Sequence, residues 1–125
     1  MKIENIKFKA KSILDAAWVQ GDLIHKEDGK IAILRNEFNV SEVDPSTVCL
    51  FTGEKDMNGD NIYVGDIISN LETKSVIEVV WNDKMKMLDC KFLNGVKCCF
   101  DIPFGTFVAR YHRIVVLRSK YDKEK

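Results

Sequence analysis

The sequence predicts an all-β protein: a small barrel or two packed half-barrels of short antiparallel strands, with little helix. Three observations carry this. Ile6, Phe8 and Ala10 alternate with Lys7, Lys9 and Lys11, the period-two pattern of a strand with one face buried. Short apolar runs are punctuated by Asp28-Gly29, Asn58-Gly59, Gly65-Asp66 and Asn94-Gly95, dipeptides suited to tight turns. No stretch sustains helical periodicity, and short strands separated by turn signals assemble into barrels or packed sheets.

In chain order, the first strand carries the lysine row outward. A solvated strand face explains it, and lysine also protects an edge strand from wrong pairing. Two apolar segments, Trp18 to Ile24 and Ile31 to Leu34, flank Lys26-Glu27-Asp28-Gly29-Lys30 and predict a hairpin. Gly21 within the first of these marks a bulge or a close backbone approach. Trp18 reads as a packing anchor at the sheet margin, with ligand stacking as the alternative. His25, just before the turn, reads as exposed and polar.

Arg35 to Val48 is a looser segment whose Asp44-Pro45-Ser46-Thr47 has the chemistry of a turn or a short helix start. The seam between two halves of the domain is placed here, with a further strand from Val48. Then comes the densest stretch of the chain, Phe51 to Ile68, FTGEKDMNGDNIYVGDII. Its glycines and short polar residues demand a tightly turned backbone. Asn58-Gly59 turns into Asn61 to Tyr63, Gly65-Asp66 turns again, and Ile67-Ile68 starts another strand. A β-meander follows at Val76 to Trp81, Met85 to Leu93 and Val96 to Ile102. Pro103 to Gly105 breaks the pattern, a last strand runs from Arg113 to Leu117, and the charged tail from Lys120 to Lys125 is expected to fray.

The bulk numbers exclude some function classes. Lys plus Arg and Asp plus Glu both total 19, giving zero net charge. Binders of phosphate backbones usually carry clustered excess cations. No apolar run approaches the ~18 residues that span a bilayer, and the first residues lack the apolar core of a signal peptide, so a cytoplasmic location is expected. Cys49, Cys90, Cys98 and Cys99 lack the paired spacing of a zinc site and read as reduced thiols.

Asp56-x-Asn58-x-Asp60 starts like a calcium loop, but Asn61 and Ile67 stand where that loop requires glycine and a bidentate glutamate. These side chains are expected to bond their own backbone instead. Asp56, Asp60 and Asp66 form a carboxylate cluster that acid–base chemistry or a divalent metal would need, yet turn capping explains them without chemistry. No nucleophile or phosphate-loop motif is present. No catalytic, cofactor-binding or metal-binding residue is assigned. The C-terminal stretch carries Arg110, Arg113, Arg118, Lys120, Lys123 and Lys125 with Tyr111, His112 and Tyr121 interleaved. Such a pattern can track a nucleic acid, or it can be the solvent face of a last strand and a charged tail.

The stretch TGEKDMNGDNIYVGDII resembles the signature of the YopX family of phage and prophage proteins. The matching positions are Thr52, Gly53, Asp56, Asn58, Gly59, Ile62, Tyr63, Gly65, Asp66 and Ile67. Trp18-Val19-Gln20-Gly21 with Leu23-Ile24, and Val43-Asp44-Pro45 with Thr47-Val48, also look like the family, so the likeness covers roughly residues 5 to 102. Glu54 and Val64 depart from the usual apolar and acidic residues, and the Gly-Asn customary before the last strand is missing. The resemblance implies a small β-rich phage-encoded protein and brings no catalytic residues.

The expectation is therefore a single YopX-like domain over 1–125: N-terminal strands at about 5–48, signature loop and C-terminal meander at about 49–118, charged tail at 119–125. The expected role is a non-enzymatic binding or assembly module in the host cytoplasm. It would form homo-oligomers and meet a protein partner, with Trp18, Arg110, Arg113 and Arg118 as candidate contact residues. A nucleic-acid-binding accessory protein is the alternative; it requires the C-terminal cations to share one face with Lys7, Lys9 and Lys11. A metal-dependent enzyme built on the Asp cluster is a further one.

Overall fold

The computed structural model describes residues 3–94 and 102–122. They form β1 (Phe8–Lys11), β2 (Trp18–His25), β3 (Ile31–Asn36), β4 (Asn39–Val43), β5 (Cys49–Lys55), β6 (Asn61–Tyr63), β7 (Asp66–Asn70), β8 (Ser75–Asn82), β9 (Met87–Asn94), β10 (Ile102–Pro103), α1 (Phe104–Arg110) and β11 (Ile114–Ser119). The strands make two antiparallel sheets, ordered β4-β3-β2-β1-β5-β6 and β10-β9-β8-β7-β11. The protein is thus mostly β, as the alternation and turn dipeptides indicate. Among the described residues neither sheet closes into a barrel. The chain divides into two compact units between Phe51 and Thr52, later than the seam expected at 35–48.

In the first unit, Ala10, Val19, Ile33 and Val43 form a buried cluster against which Phe8, Leu23, Ile31 and Val48 pack. The hairpin expected around Asp28-Gly29 is present: Lys26 N–H donates to the Lys30 carbonyl at 2.9 Å, and Gly29 has φ +86. Gly21 marks the point where β2 changes partner. Trp18 to Gly21 pair with β1, whereas Asp22 to His25 pair with β3. A Cβ on Gly21 would lie 2.1 Å from the Leu34 carbonyl oxygen, so the close backbone approach is real and only glycine admits it.

Two expectations need correction here. β1 is an interior strand, between β2 and β5, so its lysines do not guard an edge. Part of the looser segment is a strand, β4, paired with β3 from Ile31–Val43 to Asn36–Asn39. Its pattern NVSEV offers only two apolar residues, too little periodicity to read alone. The Asp44-Pro45 signal is correct. Asp44 caps a 3₁₀ turn at Pro45–Thr47 through Ser46 N–H at 3.0 Å and Ser46 Oγ–H at 2.8 Å.

The Ser46 hydroxyl, and then its amide, hold the Asp44 carboxyl below its usual value of 3.8. A depressed folded pKa means that the cap's stabilisation is present above the unfolded value and is lost as pH falls through the folded one. A carboxyl NMR titration is expected to show Asp44 ionising below 3.8 and Ser46→Ala moving the midpoint back up. A midpoint unmoved in Ser46→Ala refutes the role of the hydroxyl.

The second unit is built on Ile62, Ile68, Ile77, Val79, Cys90, Phe104, Phe107 and Ile114. Pro103 to Gly105, expected only to break the strand pattern, opens α1. Pro103 is its N-cap and Phe104 and Phe107 are buried. Phe104, Phe107, Val108 and Tyr111 follow the i, i+3, i+4, i+7 rule, a signal hidden by its brevity. The last strand starts and ends slightly later than expected, at Ile114–Ser119. The tail is tied at its base, since Lys120 N–H donates to the Gly65 carbonyl at 2.8 Å and Ser119 N–H to Asp122 Oδ2 at 2.9 Å. Gly95, Cys98, Cys99, most of the strand expected at 96–102, and Lys123 to Lys125 lie outside the described residues.

Candidate functional site

The Asp56 to Asp66 stretch is where the sequence is most constrained, and its geometry is that of a clasp. Asp56 is only 6% exposed. Its Oδ1 accepts the amides of Asn58 and Asp60, both at 2.9 Å. Its Oδ2 accepts the amide of Val116, also at 2.9 Å and sixty residues away. Beside it, Met57 N–H donates to the Ile114 carbonyl at 3.0 Å. Residues 56–57 therefore cover the Ile114–Val116 part of the outer side of β11, an edge strand that would otherwise offer those peptide groups to another chain.

Gly59, with φ +83, lets the loop return. Its amide bonds the Asp56 carbonyl at 3.0 Å, and Asp56 N–H bonds the Asp60 carbonyl at 2.8 Å. The second turn repeats the device. Fully buried Asp66 takes the Tyr63 amide on Oδ2 at 2.8 Å, and Gly65 (φ +96) donates to the Val79 carbonyl at 2.8 Å. Ile62 and Tyr63 between these turns are buried.

The expectation of side chains bonding their own backbone is met at Asp56, and the bond to Val116 extends it in a way no local pattern shows. Thr52 and Gly53 are not in a turn but in β5, where Thr52 Oγ1–H donates to the Ile62 carbonyl at 2.7 Å. Of the expected cluster Asp56, Asp60 and Asp66, the Asp56 and Asp66 carboxylates accept backbone amides. Among the described residues no group of three or more His, Cys, Asp or Glu is placed to hold a metal ion. Asp56 and Asp66 fasten the loop from within, while Gly53 to Lys55 and Met57 to Asp60 are exposed.

The candidate contact residues fall in both units. Trp18 lies half-buried at the start of β2 with the Lys9 and Lys11 ammonium groups 4.5 and 5.4 Å from its ring. Arg110 ends α1, its guanidinium 5.6 Å from the Tyr111 ring. Arg113 lies in the link before β11, and Arg118 follows a β-bulge in that strand. Trp18 and the lysine row belong to one unit and the three arginines to the other.

The sequence reading missed the outer side of β4. Ile13 N–H donates to the Glu42 carbonyl at 3.1 Å, Asp44 N–H to the Lys11 carbonyl at 2.9 Å, and Ser12 bridges Val43, so residues 11–13 cover the Glu42–Asp44 end of this edge. Backbone alternation puts the Val40 peptide groups on the same outer side as the Glu42 carbonyl. Leu14 in the β1–β2 loop is 92% exposed, Phe38 in the β3–β4 turn 89% and Val40 in β4 54%. Glu42, the only charge in β4, lies 3.8 and 4.0 Å from Lys26 and Lys30. The strand carries no lysine or proline, its one charge is paired, and the β3–β4 ladder is irregular between Leu34 and Asn36, opposite its first residues. Phe38 in the otherwise polar turn Asn36 to Asn39 was the available signal.

The family model described as YopX protein matches residues 2–107 of the chain. No curated protein matches it.

Proposed function

Because the chain belongs to the YopX family, we propose that it is a non-enzymatic phage or prophage assembly module that pairs with a second copy of itself along β4. The observation that carries this reading is the contrast between two edges. The Ile114–Val116 part of β11 is covered by the Asp56 clasp, whereas Phe38 and Val40 at the start of β4 are exposed apolar residues. An edge strand pairs antiparallel with its own copy through an isologous contact, each Val40 region meeting the other. The exposed Leu14 and Phe38 side chains then bury apolar area beside the new ladder.

Size-exclusion chromatography with light scattering on the intact protein tests this. The expected mass is twice the 14.3 kDa of one chain. Leu14→Asp with Phe38→Asp, at positions whose exposure makes them neutral to folding, should return it to one chain's mass. A monomeric wild type at high micromolar concentration, or a dimer indifferent to both substitutions, refutes the reading.

The Lys9–Trp18–Lys11 stack supports a second reading, a nucleic-acid-binding surface in which the tryptophan stacks a base between two cations. It predicts salt-dependent binding of a short mixed-sequence DNA that Trp18→Ala abolishes. DNA binding unaffected by that substitution excludes it.

A further inference from the structure

The geometry points to a small-ligand site in the second unit: a cavity of about 120 Å³ that takes a neutral, compact apolar molecule bearing one carbonyl oxygen. Asn70 at the end of β7 lines it and is 1% exposed. Its Oδ1 accepts Glu72 N–H at 3.0 Å, which fixes the orientation of the amide. Its Nδ2 has no hydrogen-bond partner among the described residues. Buried donors are satisfied in the great majority of cases, so an orphan beside a cavity is a recognition group in want of an acceptor.

The rest of the lining defines that acceptor's carrier. Phe92, Ile102, Phe107 and Tyr111 supply apolar walls, with the Phe107 and Tyr111 rings 5.3 Å apart and tilted by 54°. Ser75, 3% exposed, lines the same cavity, and its Oγ is 2.9 Å from Thr73 Oγ1. Ser75 can add a second donor to the carbonyl while accepting from Thr73. Among the described residues no charged side chain lines the cavity. A carboxylate or ammonium ligand would therefore be desolvated without a counter-charge, which selects for a neutral molecule. The volume is close to that of an engineered cavity of about 150 Å³ that admits benzene, so the ligand has roughly six to eight non-hydrogen atoms by that comparison.

The site is independent of self-pairing at β4, and so is its test. ¹⁵N-labelled protein is titrated by NMR with cyclohexanone and, in parallel, toluene, which has the same number of non-hydrogen atoms but no carbonyl. Cyclohexanone is expected to shift the Asn70 side-chain NH₂ resonances and the amides of Ser75 and Phe107. It should bind about tenfold more tightly than toluene, the ratio set by leaving a buried donor unpaired. Asn70→Asp keeps the acceptor for Glu72 N–H and removes the donor, and it should erase the preference. If that variant does not fold, the two-probe comparison in the wild type still decides. Equal binding of both probes, or binding of neither, overturns the assignment.

Discussion

Gly21→Ala is expected to destabilise the first unit by about 4 kcal/mol, at the upper end of what overpacking costs. The reason is geometric. The added Cβ would stand 2.1 Å from the Leu34 carbonyl oxygen, 3.0 Å from the Leu34 carbonyl carbon and 3.3 Å from the Arg35 Cα. All three are backbone atoms of one strand, so no side-chain rotation relieves the clash. Either β3 moves away, opening the pairs from Asp22–Leu34 to His25–Ile31, or β2 loses the bend at which it changes partner. Against a typical domain stability of about 5–15 kcal/mol, such a loss lowers the melting temperature by more than about 10 °C.

Gly29→Ala is the matched control. That glycine also has positive φ, but nothing lies within 4 Å of its added Cβ. Only the left-handed strain remains, about 1 kcal/mol. Urea unfolding of the two variants side by side separates clash from strain. A Gly21→Ala loss no greater than that of Gly29→Ala refutes the close approach.

What could be read from the sequence follows the range of the interactions. Turn chemistry is local, so Asp28-Gly29, Asn58-Gly59, Asp44-Pro45 and the self-bonding of Asp56 were legible. Strands with clean alternation or continuous apolar runs, β1 to β3 and β7 to β9, were legible for the same reason. β4 was not, because a polar edge strand is specified by its neighbour β3 rather than by its own residues. α1 was not, because seven residues hold too few turns to show a period, and Pro103 reads equally as a stop or as a start.

The candidate sites depended on long-range placement. Nothing near Asp56 announces Val116. Nothing near Asn70 announces that Phe107 and Tyr111 will wall a cavity beside it. Phe38 was visible as an apolar residue in a polar turn, but its meaning depends on β4 being an edge.

The clasp gives the second large effect, and it separates what a carboxylate does from what a polar side chain does. Asp56→Ala removes the acceptor of three amides, Asn58, Asp60 and Val116. Bonds to a charged acceptor contribute about 1.5–3 kcal/mol each, and the loop is partly open to water, so a total loss of about 3–4 kcal/mol is expected. Asp56→Asn keeps one acceptor oxygen and turns the other into a donor. That oxygen can serve the turn amides or Val116, not both, so about half the loss is expected.

Hydrogen exchange tells which bond the asparagine keeps. The two turn amides converge on Oδ1, and an acceptor satisfying two donors wins over one satisfying a single donor. Asn58 and Asp60 should stay protected while Val116 exchanges faster, and the outer side of β11 should loosen with it. Because that side then resembles the edge of β4 at Val40, the asparagine variant should also self-associate more strongly than the wild type at equal concentration. A variant that loses less than about 1 kcal/mol as alanine, or that leaves Val116 as protected as before, would show that β11 is held without the clasp.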